Sequence, residues 1–358
     1  MATKRQARTR KELPEDLQQQ EQTTGSYSYF ADAAAKEDIQ FISSGCAVLD
    51  AALGGGFALG RVANIVGDKS TGKTLQAMEL MANFALKHSN GWMRYAEAEH
   101  AFDIPYAQAL GIPTDRIIFN EDDIPIDTVE EVYNDVERCI EAGKGEPGVY
   151  VLDSLDAVSD AAEQDRAFGE ATYGGTKPKA LSEFFRRKIK SIRESNTLML
   201  VVSQLRDKLG VTFGETKTRS GGKALDFYAS QVIWLAEIEK IKQTKEKIDR
   251  IVGVRVRARI KKNKVGLPFR EVEYPIMFGY GIDDLTANVE WLLSVGREAV
   301  LTKEFEISKA GYKVRLANLR NKGGSEVHEL RAGLTKAVFR EWAAIEQTFL
   351  PRASKYGD

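Results

Sequence analysis

The residues best suited to chemistry in this sequence form a glycine-rich stretch that fits the pattern G-x-x-x-x-G-K-[ST]. An apolar segment precedes it and helical spacing follows it. In that context backbone N–H groups and a helix N-terminus surround phosphate oxygens. Lys73 would reach the β- and γ-phosphates, and the Thr74 hydroxyl would hold Mg²⁺. The stretch predicts a nucleoside triphosphate site, with a plain glycine-rich turn as the alternative. It consists of Gly67, Asp68, Lys69, Ser70, Thr71, Gly72, Lys73 and Thr74.

Carboxylates that follow two other apolar segments could complete such a site. Asp153 ends the stretch VYVLD, and ligands of open parallel sheets bind at the carboxyl edge of the strands. We expect Asp153 to support the Mg²⁺ shell through water. Glu97 and Glu99 follow another strand, and alternation along an extended chain would put both on one face. One of them could orient and activate the attacking water, although a pair of surface acids has the same spacing.

The elements that must position these residues begin with buried strands. The segment 61–67 is predicted to be a buried strand, and 149–153 and 197–204 are predicted to be continuous apolar strands. Such strands are expected where a parallel sheet is covered on both faces. Apolar residues at helical spacing follow the first segment, at Met78, Met81, Ala82 and Ala85. This alternation predicts an α/β fold, a doubly wound core around a central, mostly parallel sheet.

Two further sequence patterns add a helix and a hairpin to this predicted fold. The segment 127–142 carries an apolar stripe at helical spacing, and Asp127 with Glu130 resembles a capping box at its start. Apolar and cationic residues alternate in 254–262, and a similar alternation follows in 270–278. The two segments are joined by a short stretch that contains glycine and proline. They predict an antiparallel hairpin at one side of the sheet.

The chain divides into four predicted parts. The first lacks apolar periodicity, which indicates a disordered arm, although its basic residues could touch nucleic acid. The last is helical in pattern, and a small C-terminal domain is the simplest account of it. The parts are an N-terminal arm at 1–25, an oligomerisation segment at 26–39, the α/β core at 40–283 and the C-terminal domain at 284–358.

Composition excludes several classes of protein. Lys and Arg number 51 against 52 Asp and Glu in 358 residues, so the formal net charge is −1 and DNA binding would need local basic patches. The two cysteines, Cys46 and Cys139, cannot build a disulfide framework. No apolar run approaches the length of a membrane span, and no apolar segment follows the basic N-terminus. We therefore expect a cytoplasmic protein with no membrane partner.

Several blocks of sequence resemble the bacterial RecA family of DNA recombinases. In order they cover about 40–283 and include ISSGCAVLDAALGGGFALGR, AEHAFDIPYAQALG, SNTLMLVVSQLRDKLGVTFG, SGGKALDFYAS and KKNKVGLPF. The resemblance implies a RecA-like core that uses ATP and Mg²⁺. It also implies subunits that polymerise on single-stranded DNA, pair it with homologous duplex DNA, and release DNA after ATP hydrolysis. Roles in DNA repair and in the SOS response to DNA damage follow from the same resemblance.

The resemblance implies roles for residues at matching positions. Glu99 corresponds to the catalytic carboxylate of the family. Gln204 corresponds to the glutamine that senses the γ-phosphate and couples it to DNA. Asp103 and Tyr106 correspond to residues that contact adenine and stack on it.

Two lysines near the predicted hairpin correspond to residues that reach the ATP of a neighbouring subunit. Lys262 and Lys264 are two residues apart, so they point the same way in an extended chain. They continue the apolar phase that runs from Val254 to Ile260, and cations on an apolar face need an anionic partner. A neighbour's triphosphate would provide one, whereas lysines of a simple hairpin turn are the alternative.

The sequence departs from the family pattern at several positions. Asp68 and Lys69 stand where the family has Pro-Glu, and Leu75 stands where it has threonine. Glu97 replaces an aspartate. Asp226 replaces a lysine near the expected DNA path, which removes a cation there. The acidic C-terminal tail of many bacterial relatives is missing, as in a diverged or bacteriophage-encoded relative.

Two segments, 163–179 and 206–223, combine glycine, cations and an aromatic residue. Cations neutralise phosphates without reading sequence, and aromatic side chains stack on any base. We expect both segments to bind DNA, with mobile surface loops as the alternative. The candidate DNA-binding residues are Arg166, Tyr173, Lys177 and Lys179 in the first segment and Arg206, Lys208, Phe213, Lys217, Arg219 and Lys223 in the second.

Two other functions fit part of this pattern, a hexameric helicase motor and a DNA-coating protein whose ATP site only switches assembly. The two basic segments and the paired lysines favour the recombinase, and Glu99 favours hydrolysis. The expected partners are single-stranded and duplex DNA, further copies of the chain, and loader proteins of unknown kind. Phe30 and Ala33 resemble the Phe-x-x-Ala pattern by which archaeal and eukaryotic recombinases join subunits, although the same stretch could be an N-terminal helix.

Overall fold

The computed structural model of the chain describes residues 39–99, 102–120, 126–164, 176–207, 217–219 and 222–349. The strands in these ranges are β1 Phe41–Ile42, β2 Phe57–Ala58, β3 Val62–Gly67, β4 Trp92–Glu97, β5 Ile117–Ile118, β6 Gly148–Asp153, β7 Thr197–Asp207, β8 Lys217–Arg219, β9 Gln231–Lys245, β10 Ile248–Asn263, β11 Glu271–Met277 and β12 Gly281–Ile282. The helices are α1 Ala47–Leu53, α2 Lys73–Lys87, α3 Ile104–Ala109, α4 Val129–Ala142, α5 Ala161–Gln164, α6 Thr176–Glu194, α7 Gly222–Tyr228, α8 Asp284–Ser294, α9 Glu298–Phe305, α10 Tyr312–Lys322 and α11 Ser325–Phe349.

A large mixed sheet organises the part of the chain that the structure describes. Its strand order is β12-β11-β10-β9-β3-β7-β6-β4-β5, and β8 pairs with β7 off this path. The strands from β9 to β5 are parallel to their neighbours, whereas β10, β11 and β12 join them in antiparallel fashion. The α/β fold with a mostly parallel central sheet is confirmed, and so is the hairpin at one side.

The continuous apolar strands lie between two buried clusters. In β3, Ala63 and Ile65 belong to one cluster while Val62 and Val66 belong to the other. The strand β6 divides in the same way between alternate residues. Each face of these strands is therefore covered, which explains why their sequences lack the polar alternation of a half-exposed strand. Because the parallel strands all run the same way, their carboxyl ends meet at one edge of the sheet.

The helix α4 begins one residue later than its sequence pattern suggests. The expected capping pair of Asp127 and Glu130 is wrong, and the observed capping box is formed by Thr128 and Glu131. The Thr128 hydroxyl accepts a hydrogen bond from Glu131 N at 3.1 Å, and the Glu131 carboxylate accepts one from Thr128 N at 3.1 Å. Thr128 keeps an extended backbone because it bridges to Ser159, so it takes the N-cap position itself.

The C-terminal helices pack on the first cluster. Leu292 of α8 and Leu334 of α11 share that cluster with Leu53 of α1, and Trp291 stacks on Trp342 with ring centroids 5.4 Å apart. The helical character beyond Asp284 is confirmed. The division of the chain into four parts stays a prediction, and residues 1–38, with the N-terminal arm and Phe30, lie outside the described residues.

A half-buried carboxylate joins α2 to β12, the strand directly before this C-terminal region. The Glu79 carboxylate accepts a hydrogen bond from Ile282 N at 3.1 Å. Burial raises the pKa of Glu79 to about 7, and the nearby Asp284 adds to the rise while Arg331 opposes it. A carboxylate with a raised pKa favours the folded state only while it holds its proton. Its contribution to stability is therefore present at acid pH and is lost as the pH rises through about 7.

We predict that Glu79→Gln stabilises the protein at alkaline pH. The neutral amide removes the cost of the partly buried charge, which is on the order of 3 kcal/mol for a pKa shift of this size. Melting temperatures of the variant and the wild type, compared across pH, should therefore diverge in favour of the variant above neutrality. Glu141→Gln, an exposed position on α4, controls for the loss of one charge. Melting curves of Glu79→Gln that keep a constant offset from wild type at every pH would refute the assignment.

Candidate nucleotide site

The loop between β3 and α2 has the shape that a phosphate-binding loop needs. A Cβ atom at Gly67 would lie 2.4 Å from the Thr71 hydroxyl oxygen and 2.9 Å from the Leu235 carbonyl oxygen, so only glycine fits there. Gly72 has a φ of 82° and precedes the first residue of α2. The Thr71 hydroxyl donates to the Asp68 carbonyl oxygen at 2.9 Å, which closes the loop on itself. The N-terminus of α2 therefore opens directly onto the loop, as predicted.

Lys73 is the lysine of this loop that is predicted to bind phosphate. Its ammonium group donates to the Asp68 carbonyl oxygen at 2.7 Å. Burial lowers the pKa of Lys73, and neighbouring carboxylates oppose that change. In order of their effect these carboxylates belong to Asp153, Glu99, Asp68 and Asp156. The predicted phosphate-binding lysine thus lies among acidic groups drawn from several elements.

Asp153 and Thr74 are in direct contact, as a shared magnesium site requires. The Thr74 hydroxyl donates to Asp153 Oδ2 at 2.7 Å, and the Tyr95 hydroxyl donates to the same oxygen at 2.5 Å. Burial raises the pKa of the Asp153 carboxyl, and these two hydroxyls lower it in turn. Hydroxyl and carboxylate oxygens are the ligands that Mg²⁺ prefers beside substrate phosphates. The residues present therefore fit the cation that the sequence predicted.

Tyr95 is a site residue that the sequence pattern did not reveal. It lies in β4, a strand with Trp92, Met93 and Ala96, which indicate an ordinary core position. Its partner Asp153 lies on β6, and the register pairs Glu97, not Tyr95, with Asp153. The only sequence feature that could have pointed to Tyr95 is its place in a buried strand, two residues before the acidic residue Glu97.

Glu99 and Gln204 meet at the carboxyl edge of the sheet. Gln204 Nε2 donates to Glu99 Oε1 at 3.2 Å, and the Ser154 hydroxyl donates to the same oxygen. Gln204 N donates to Asp156 Oδ2 at 2.7 Å, and Gln204 pairs with Gly67 in the parallel register of β7 and β3. The sheet thus brings Glu99 and Gln204 together beside the phosphate-binding loop.

Glu97 has a different environment from Glu99. Its Oε1 atom accepts a hydrogen bond from Phe102 N at 2.6 Å. The strand β4 ends at Glu97, so the alternation that would carry both acids along one face stops there. Of the two candidate carboxylates, Glu99 is the one that contacts Gln204.

Comparison with known proteins agrees with this geometry. Residues 11–283 match the RecA N-terminal domain. Protein RecA of Clostridioides difficile (strain 630) is 35% identical over 264 residues, which cover 72% of each chain. Protein RecA 2 of Myxococcus xanthus is 37% identical over 252 residues, covering 70% of this chain and 67% of the relative. Protein RecA of Caulobacter vibrioides is 31% identical over 332 residues, covering 90% of this chain and 87% of the relative.

The chain belongs to the RecA family. It is accordingly a recombination and repair protein of the RecA type, whose known role is strand exchange. In the ranges that the structure covers, no helix combines the length and the apolar character needed to cross a membrane.

The two residues that match the adenine contacts of the RecA family lie at the start of α3. Asp103 is exposed and its side chain caps the helix, accepting a hydrogen bond from Tyr106 N at 2.8 Å. Tyr106 is half-buried. Both follow β4 at the carboxyl edge of the sheet, and their contact with adenine stays a prediction.

The two lysines that match the RecA lysines of the neighbouring site converge on one place. Lys262 Nζ donates to the Phe227 carbonyl oxygen at 3.1 Å and to that of Asp226, and Lys264 Nζ donates to the Phe227 carbonyl oxygen at 3.0 Å. Their common direction is confirmed, but the expectation that they continue the apolar phase is wrong, because a register shift between Ile260 and Lys262 leaves Asn263 and Val265 as the buried residues. The partner within the chain is the C-terminus of α7, where carbonyl oxygens carry partial negative charge. This contact satisfies the ammonium groups before any neighbour is present.

Only parts of the two predicted DNA-binding segments lie within the described residues. Arg166, Tyr173, Lys208 and Phe213 lie outside them. Lys177 and Lys179 are in the first turn of α6, where Lys177 Nζ donates to the Leu155 carbonyl oxygen at 2.8 Å and Lys179 is exposed.

Both ends of the second segment lie in regular secondary structure. β7 runs on through Arg206 to Asp207 and pairs with β8, which holds Lys217 and Arg219. Lys223 is in α7. The segment therefore starts two residues beyond Gln204 in an unbroken strand.

Proposed function

We propose that this chain hydrolyses ATP in a DNA-dependent manner and uses the nucleotide to control its polymerisation on DNA. The chain belongs to the RecA family, and proteins of that family are DNA-dependent ATPases. The hydrogen bond between Gln204 and Glu99 carries the proposal for this chain. It joins the candidate catalytic carboxylate to a strand that continues into the second DNA-binding segment.

Each side chain of the site has a task that follows from its position. Backbone N–H groups of residues 68–74 and the Lys73 ammonium would bind the phosphates. Thr74 and Asp153 would hold Mg²⁺, which neutralises phosphate charge when bound. Glu99 lies at the open edge of the sheet, where its carboxylate would orient the attacking water and accept its proton. Ser154 and Gln204 fix the direction of that carboxylate through hydrogen bonds to one of its oxygens.

The proposed partners are nucleic acid and further copies of the chain. The cations of the segments 163–179 and 206–223 would neutralise the backbone of single-stranded DNA and then admit a homologous duplex. Lys262 and Lys264 would complete the nucleotide site of a neighbouring subunit, so that ATP lies between subunits of a filament. The segment 26–39 would join adjacent subunits. Closed hexameric rings and purely structural DNA coating remain the competing functions.

We predict that Glu99→Gln keeps ATP binding and filament assembly but loses most ATP turnover. The amide cannot accept a proton from water, and general-base catalysis is typically worth about 10²–10⁴-fold in rate. Turnover should be measured by phosphate release with and without single-stranded DNA. Glu97→Gln is the matched control, because the Glu97 carboxylate is occupied by Phe102 N and should not touch the water. Near-normal hydrolysis by Glu99→Gln would exclude it as the catalytic carboxylate.

We predict that Lys262 and Lys264 act on the neighbour's nucleotide. Filaments of the Lys262→Ala/Lys264→Ala protein should lose turnover, since cations supplied in trans are worth roughly 10³–10⁵ in rate. Mixing this protein with Glu99→Gln subunits should restore part of the activity, because some interfaces then combine an intact Glu99 with intact lysines. Circular dichroism controls for damage to α7, whose carbonyl oxygens bind both lysines. Absence of rescue in filaments shown to contain both subunits contradicts a role in trans.

A further inference from the structure

Tyr95 combines a rigid ring with a hydroxyl that makes a hydrogen bond in the site. The side chain is 1% exposed, and its ring packs against Phe102 and Phe119 with centroids 4.5 Å and 6.2 Å away. The hydroxyl donates to Asp153 Oδ2 at 2.5 Å. A phenylalanine would fill the same apolar space, so the hydroxyl group contributes this hydrogen bond rather than packing. The neighbouring rings fix where the donor lies.

Asp153 Oδ2 receives a second hydroxyl, that of Thr74, at 2.7 Å. The two donors come from different elements, Tyr95 from β4 and Thr74 from the first turn of α2. A threonine hydroxyl has one hydrogen to donate and lone pairs to offer to a cation. By taking that hydrogen, Asp153 sets the direction in which the Thr74 lone pairs point. Any rotation of the Asp153 carboxylate would change that direction.

We propose that Tyr95 is a positioning residue for the divalent cation that accompanies the nucleotide, a role that rests on the proposed function of the site. Its hydroxyl holds the carboxylate of Asp153, and the carboxylate in turn orients Thr74. Groups that orient metal ligands in this way typically change metal affinity or activity about 10–100-fold when they are removed. Tyr95 does not touch substrate, so its removal should affect the cation requirement more than the binding of nucleotide itself.

The test uses the full-length protein and the variant Tyr95→Phe. Binding of a fluorescent N-methylanthraniloyl derivative of ATP is titrated with Mg²⁺, and again in EDTA. We expect the variant to need roughly 10-fold more Mg²⁺ for half-maximal binding, as loss of an orienting group predicts, with no change in EDTA. Tyr150→Phe is the matched control, because that buried hydroxyl donates to Asp135 of the helix α4 at 2.8 Å and not to Asp153. Its Mg²⁺ midpoint should equal that of wild type.

A double-mutant cycle tests whether Tyr95 acts through Asp153. In an Asp153→Asn background Tyr95→Phe should have no further effect on the Mg²⁺ midpoint, because Tyr95 acts only through that carboxylate. A Mg²⁺ midpoint of Tyr95→Phe equal to wild type, or an equal loss of binding with and without Mg²⁺, overturns the role of Tyr95. If wild type itself binds no nucleotide, the proposed function of the site fails instead, so the two failures are distinguishable.

Discussion

The arrangement of the nucleotide site depends on several carboxylates gathered around one ammonium group. The carboxylates of Asp153, Glu99 and Asp156 lie at the carboxyl edge of the parallel sheet and oppose the fall that burial causes in the pKa of Lys73. Like charges in a partly buried setting repel one another unless donors offset them. Hydroxyl and amide groups do so here, from Tyr95 and Thr74 to Asp153 and from Gln204 to Glu99. A triphosphate adds further negative charge to this edge. Its binding therefore calls for a divalent cation, and the proposed lysines of a neighbouring subunit serve the same need.

One stretch of chain connects Gln204, which contacts Glu99, with the helix end that binds Lys262 and Lys264. Gln204 on β7 binds Glu99, and the same strand continues to the hairpin with β8 and then to α7. At the end of α7 the carbonyl oxygens of Asp226 and Phe227 bind Lys262 and Lys264. The segment 206–223, proposed to bind DNA, thus lies between a residue that contacts the chain's own site and a helix end that binds the lysines proposed for the neighbour's site. Under the proposed function, DNA, ATP and the next subunit would all contact residues joined by this stretch of chain.

Local patterns predicted much of this site, because their chemistry depends on neighbours in sequence. The loop from Gly67 to Thr74 and the buried strand that ends at Asp153 follow from composition and periodicity alone. The start of α4 was misplaced by one residue, since the backbone of Thr128 is set by a bridge to Ser159 that no local pattern encodes. Tyr95 escaped notice for a similar reason, because its hydroxyl finds its partner on a different strand. The common direction of Lys262 and Lys264 was predictable from their spacing, whereas the register shift that takes them off the apolar face and their contact with α7 depend on tertiary packing.

We propose that Gln204 transmits DNA binding to Glu99, the candidate catalytic carboxylate. The most direct test compares ATP turnover of wild type and Gln204→Ala in the presence and absence of single-stranded DNA, with nucleotide binding and DNA binding measured on the same preparations. We expect wild-type turnover to rise on addition of DNA. Gln204→Ala should bind both ligands and show no such rise, because the contact with Glu99 is lost. Undiminished DNA stimulation in Gln204→Ala would contradict the account.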